Sequence, residues 1–167
     1  ADPFDGMSEA KPCRAKNLLS GKWVDGDNID NIIDPLSGKN FLQIPNTYHH
    51  DGFIDNLRSC PKYGLHNPFS NVDRYVMLGR ACTRAASMLA DKDIENYFTT
   101  LIQRMIPKNK EQCRGEVIVT RIFLENFSGD RVRFLGRGFS NPGDHIGQES
   151  RGYRWPYGPV VIISPFN

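Results

Sequence analysis

The sequence predicts a mixed α/β fold: a small antiparallel sheet, then helices, an extended arm, and a final short strand of parallel-sheet character. Three observations carry the prediction. Between Asn17 and Ile44, short apolar runs are separated by turns rich in Gly, Pro and Asp. Between Asn71 and Phe127, apolar residues recur at intervals of three and four, the period of a helix with one buried face. Near the end, Val160-Val161-Ile162-Ile163 runs without a polar interruption, which marks a strand covered on both faces.

The first segment resolves into paired strands. Ser20-Gly21 separates Leu18-Leu19 from Trp23-Val24, the spacing of a two-residue hairpin. Asp34-Pro35-Leu36-Ser37-Gly38 places Pro where a turn wants its fixed φ and Gly where the chain relaxes afterwards. Ile29, Ile32 and Ile33 precede that turn, and Phe41, Leu42 and Ile44 follow it. Pro45 to Phe69 reads as a loop with one short helix between Gly52 and Cys60. Asn71 opens a long helix whose apolar stripe is Tyr75, Leu78, Cys82, Ala85 and Leu89. Asp93 is suited to cap the next helix, in which Ile94, Phe98, Leu101 and Met105 share a face until Pro107. A third begins at Asn109 or Lys110, and its Val117–Phe127 stretch is apolar on most sides. Gly129 and Gly136 interrupt it. Phe139 to Gly147 reads as loop. Tyr153, Trp155 and Tyr157 then alternate with Gly152, Arg154 and Pro156, an extended segment kept off a sheet interior by Pro156.

Composition narrows the function classes. The chain has 167 residues, 24% of them charged, with net charge +2, so nothing in its charge balance calls for a nucleic-acid partner. No apolar run approaches the roughly 20 residues that span a bilayer. Four cysteines, Cys13, Cys60, Cys82 and Cys113, lie far apart with no C-x-x-C pair, which argues for reduced structural thiols and against structural zinc. His49-His50-Asp51, with His66 and His145, is read as solvated loop residues, because adjacent side chains rarely converge on one ion. No metal site is expected. Arg131 to Phe139 mixes Arg, Gly and aromatics but lacks the spacing of an RNA-binding motif, and reads as helix end and loop. Asn126-Phe127-Ser128 matches a glycosylation pattern inside a helix and is expected to be silent. Residues 1–6, ahead of Met7, read as a cloning scar outside the fold.

Arg154-Trp155-Pro156-Tyr157-Gly158-Pro159, followed by Ile163-Ser164-Pro165-Phe166-Asn167, resembles the opening of the cofactor domain in NAD(P)-dependent aldehyde dehydrogenases. Phe166 stands where the usual Pro-Trp-Asn has Trp. Asn17-Leu18-Leu19-Ser20-Gly21-Lys22-Trp23, Ser59 to Pro68, Leu101-Ile102-Gln103-Arg104 and Phe123 to Asp130 are similar to the plant-type branch that oxidises delta-1-pyrroline-5-carboxylate, as glutamate semialdehyde, to glutamate. The resemblance runs from about Asn17 to Asn167 and covers the first third of such an enzyme.

That resemblance implies a division of the chain: an N-terminal sheet and helices over 7–147, an oligomerisation β-arm over 148–157, and the first strand of a Rossmann-like NAD-binding domain over 158–167. By residue type alone, an Asn after a strand is a turn former or helix cap. The resemblance instead makes Asn167 catalytic, its amide donating to the carbonyl oxygen that gains charge during attack. Ile163, Ser164, Pro165 and Phe166 would line the NAD pocket. The family's nucleophilic Cys, general-base Glu and ribose-binding residues match no position here, and Cys82, on an apolar stripe, reads as core. The implied partners are an aldehyde substrate and further copies of the chain, and the implied compartment is the mitochondrion. Burying Val160–Ile163 is worth roughly 1.5–3 kcal/mol per side chain. The sequence is therefore expected to be the first part of a longer polypeptide, inactive by itself, or else the strand is expected to pack against something outside the chain. The alternative is a non-catalytic assembly module that associates with full-length subunits.

Overall fold

A computed structural model describes residues 6–47, 52–59, 73–154 and 157–165. They fall into two compact units, one drawing on 1–59, 91–119 and 163–167, the other on 60–90 and 120–162.

In the first unit, β1 (Cys13–Arg14), β4 (Ile29–Ile33) and β5 (Asn40–Pro45) form one sheet in the order β1-β5-β4. The β4–β5 pair is antiparallel, as the turn chemistry predicts. Gly38 takes φ +69°, its N–H donates to the Asp34 carbonyl, and the Asp34 side chain accepts from the Leu36 N–H and the Ser37 hydroxyl. The sheet is not purely antiparallel, however: β1 runs parallel to β5, Cys13 opposite Leu42. β2 (Asn17–Leu19) and β3 (Lys22–Val24) make the expected hairpin. Its Ser20 and Gly21 are both at positive φ, 51° and 76°, the primed-turn geometry that matches strand twist. The short helix α1 (Phe53–Arg58) lies where it was expected.

Helix α3 (Lys92–Met105) is capped by Asp91 rather than Asp93. The Asp91 carboxylate accepts from the Asp93 and Ile94 N–H groups at 2.9 and 3.2 Å, so Asp93 is already inside the first turn. Asn109 caps α4 (Lys110–Asn126) by accepting from Gln112 N–H. Helix α4 is less enclosed than its composition suggests. Cys113 and Val117, one turn apart, are buried, whereas Val119, Ile122 and Phe123 are exposed. Met7, Phe41, Thr99, Cys113 and Val117 are the most enclosed residues of the first unit.

In the second unit, α2 (Asp73–Leu89) packs against a 3-10 helix over Gly129–Gly136. The buried face of α2 is Tyr75, Gly79 and Ala86, with Cys82 part-buried, and Leu78 is turned outward. Gly79 sets this register. A Cβ there would stand 2.3 Å from the Gly129 carbonyl oxygen and 3.0 Å from Val132 Cγ2. Only glycine lets the two backbones approach so closely. Thr83 ties the crossing together, its hydroxyl donating to the Gly79 carbonyl and accepting from the Gly129 N–H.

The stretch expected to be loop from Phe139 forms β6 (Gly138–Pro142), which pairs antiparallel with β7 (Glu149–Tyr153). No helix among the described residues is long and apolar enough to cross a membrane.

Candidate functional site

The residues assigned to cofactor binding lie after the β6–β7 hairpin. Residues 157–165 form neither helix nor strand, and Gly158 turns the chain at φ +102°. Val160, Val161, Ile162 and Ile163 are 68, 78, 85 and 89% exposed. The expected doubly covered strand is thus not formed among the described residues. A strand needs a hydrogen-bonding neighbour, and none pairs with this segment here. Ile163, Ser164 and Pro165 are all exposed, while Phe166 and Asn167 lie outside the described residues. The Ser164 hydroxyl and the main-chain groups of Ile163 and Ser164 make no hydrogen bond to described residues.

Of the segment assigned to the arm, 148–157, residues Glu149–Tyr153 form β7, which is held to β6 by two reciprocal contacts. Phe139 faces Gly152 and Tyr153 faces Gly138 across the ladder. A Cβ on Gly152 would fall 2.3 Å from the Phe139 ring, and one on Gly138 would fall 3.0 Å from the Tyr153 ring. Each aromatic ring therefore covers the bare backbone of the opposing glycine, a pairing that stabilises strands otherwise weakened by glycine. The strand ends at Tyr153. Tyr157 is 97% exposed, and residues 155 and 156 of the expected arm lie outside the described residues.

Among the described residues, one buried polar constellation is not revealed by hydropathy. Arg104 of α3 is buried, its side chain 8% exposed. Its Nη1 donates to the Met7 carbonyl at 2.9 Å, its Nη2 donates to Asp34 Oδ2 at 3.1 Å, and its guanidinium lies 4.3 Å from the centre of the Phe41 ring. A buried charge is tolerated only when its partners are in place, and here a carbonyl, a carboxylate and a π face provide them. Asp34 is held below its ordinary carboxyl range, first by the Leu36 N–H and then by Arg104 and Ser37 against the opposing effect of burial. Enclosed in this way, Arg104 joins α3 to the N-terminal segment, the β4–β5 turn and β5. Its role is structural. The one hint in sequence is an Arg flanked by apolar residues within an amphipathic helix. Arg14 and Asp25 form a second, more exposed pair, with Asp25 likewise lowered by Arg14 and then by the Gly26 N–H.

The described cysteines are free thiols: Cys13 and Cys82 are part-buried and Cys113 is fully buried. Cys82 is therefore only partly the core residue expected. Among the described residues no three His, Cys, Asp or Glu side chains converge as metal ligands. His49, His50, Asp51, Cys60 and His66 lie outside the described residues, and His145 is exposed. A shallow groove of about 290 Å³ runs along α4 beside Gln112 and Gly115, with one rim closed by the Lys108–Glu116 ion pair at 3.0 Å.

Comparison with known proteins places this geometry. No family model matches the chain. It is 48% identical over 163 residues to the mitochondrial delta-1-pyrroline-5-carboxylate dehydrogenase 12A1 of Arabidopsis thaliana, covering 96% of this chain and 29% of that protein. A protein of Linum usitatissimum named as a probable aldehyde dehydrogenase is 45% identical over the same length, with 30% of it covered. Among solved structures, an NAD-dependent benzaldehyde dehydrogenase from Corynebacterium glutamicum superposes with a TM-score of 0.58 at 16% identity, over 89% of this chain and 30% of that one. An NADP-dependent enzyme of E. coli superposes with a TM-score of 0.50 at 16% identity, over 84% of this chain and 28% of that one. These likenesses show the fold. The chain spans about three-tenths of the length of the curated relatives it matches. By sequence, the chain matches the N-terminal third of these aldehyde dehydrogenase relatives, and its fold is that of the matching part of the solved structures.

Proposed function

We propose that the polypeptide carrying this chain is an NAD-dependent dehydrogenase that oxidises glutamate semialdehyde, the open form of delta-1-pyrroline-5-carboxylate, to glutamate in the mitochondrial breakdown of proline. The observation that carries the reading is the 48% identity to a delta-1-pyrroline-5-carboxylate dehydrogenase, sustained over 96% of the chain. In this reading, residues 158–167 become the first strand of the nucleotide-binding sheet once neighbouring strands cover Val160–Ile163. NAD, when bound, supplies the hydride acceptor. Ile163, Ser164, Pro165 and Phe166 then form one wall of its pocket, using the open main-chain groups and the Ser164 hydroxyl. Asn167 donates its amide N–H to the substrate's carbonyl oxygen as charge builds there, an interaction worth roughly 2.7–4 kcal/mol in comparable oxyanion sites. The β6–β7 hairpin serves as the arm through which subunits associate. The nucleophile and general base belong to other parts of the fold, so the 167 residues alone should not turn over.

The test is steady-state NAD reduction by the full-length polypeptide with delta-1-pyrroline-5-carboxylate and with benzaldehyde. A preference for the pyrroline substrate supports the reading. Turnover of benzaldehyde alone assigns the chain to another branch.

A further inference from the structure

We infer that Met7 marks the limit of N-terminal proteolytic trimming, so that any leader is removed ahead of it and never within residues 7–14. This rests on the proposed mitochondrial import only for the occasion of cutting; the limit itself comes from how the segment is held. Met7 is 2% exposed, and its carbonyl is an acceptor for the buried Arg104 guanidinium. Ser8 and Lys11 exchange main-chain hydrogen bonds at 3.1 and 3.0 Å, closing a turn. Lys39 reaches Glu9 across that turn at 3.2 Å. Cys13 and Arg14 then pair with Leu42 and Gln43 of β5, and the Ala15 N–H donates to the Gln43 carbonyl. The segment is therefore anchored from one end to the other.

A cut after Met7 would do two things at once. It would remove an enclosed side chain, leaving a cavity. It would also leave Nη1 of a buried Arg104 without that acceptor, in a place where the guanidinium cannot be rehydrated cheaply. A cut before Met7 disturbs neither contact. A maturation protease acting on the folded protein would meet this barrier, and one acting before folding would release a chain that folds poorly.

The experiment uses the full-length polypeptide released from a cleavable leader so that it begins at Met7, Glu9 or Lys11. Thermal unfolding is followed for each, together with hydrogen exchange at β5. The form starting at Met7 should melt with the longest form. The Glu9 and Lys11 forms should melt lower by roughly 4 °C or more, with faster exchange at Phe41–Gln43. In an Arg104→Met background the same truncations should lower the midpoint by less, because the donor awaiting the Met7 carbonyl is gone. Equal midpoints for the Met7 and Glu9 forms would overturn the inference. So would a fully active native enzyme whose intact mass places its first residue after Met7. An uncut native chain would count against import, while the truncation series would still decide the limit.

Discussion

Replacing Gly79 by alanine separates two effects that act in opposite directions. In an isolated helix Ala is favoured over Gly by roughly 0.8–1.0 kcal/mol. On α2, however, the new methyl would meet the Gly129 carbonyl oxygen at 2.3 Å, well inside any ordinary contact, and Val132 Cγ2 at 3.0 Å. The first obstacle is backbone and cannot rotate away, so the crossing must open by about an ångström. Overpacking of this kind costs about 1–3 kcal/mol. The rigid obstacle puts the cost in the upper part of that range, leaving a net loss of about 1–2 kcal/mol after the propensity gain. Gly115 on α4 is the internal control. Nothing stands within 4 Å of its Cβ position, so Gly115→Ala should gain about 0.5–1 kcal/mol. At roughly 2–4 °C per kcal/mol for a chain of this size, Gly79→Ala should lower the thermal midpoint by about 2–8 °C and Gly115→Ala should raise it by about 1–4 °C. Differential scanning calorimetry on both variants is the assay. A Gly79→Ala protein as stable as the Gly115→Ala protein would refute the close backbone crossing.

Further expected outcomes concern the buried charge, the thiols and the arm. Arg104→Met should lower the melting temperature by several degrees, and by more than Arg14→Met, whose partner Asp25 is half exposed. Asp34 and Asp25 both have folded pKa values below the ordinary 3.8, so each adds stability above that pH and loses it as pH falls through the lowered folded value. Acid unfolding should therefore set in below about pH 4, and removing the carboxyl by Asp34→Ala should weaken that dependence, as read by circular dichroism across an acid titration. Thiol labelling of the native protein should modify Cys13 and Cys82 well before the fully buried Cys113, which should react only on unfolding; early labelling of Cys113 would contradict its placement. Gly152→Val drives a side chain into the Phe139 ring and should unpair the β6–β7 hairpin. Analytical ultracentrifugation of the full-length protein should then show dissociation towards smaller species.

The parts of the fold legible in the sequence are those set by local backbone chemistry. Ser20-Gly21 and Asp34 to Gly38 can be read because positive φ and a side-chain-closed turn demand particular residues. The start of α4 is legible to within a residue, at Asn109 or Lys110, and in the structure the Asn109 side chain accepts from the Gln112 N–H. What escapes is set by tertiary partners. The face of α2 turns on Gly79, which carries no hydropathy signal but allows a backbone contact. Between two nearby aspartates, Asp91 and Asp93, composition gives no preference, and the helix starts two residues earlier than expected. The core of the first unit includes Thr99 and Arg104, polar residues whose burial depends on the Glu95 carbonyl, Met7, Asp34 and Phe41. β6 was hidden because Gly138 and Pro142 read as loop, and its pairing is supported by a ring over a glycine in each direction, Tyr153 on Gly138 and Phe139 on Gly152. For the candidate site, sequence resemblance supplies the roles of Ile163 to Asn167, while the described residues show Val160–Ile163 exposed and outside any strand.

The most direct test of the account is NAD reduction with delta-1-pyrroline-5-carboxylate by full-length protein, wild type beside Asn167→Ala. The wild type should turn over, and the variant's kcat should be lower by about 10²–10³, with unchanged thermal stability. A wild type that forms no reduced cofactor, or a variant that keeps its full kcat, would contradict it.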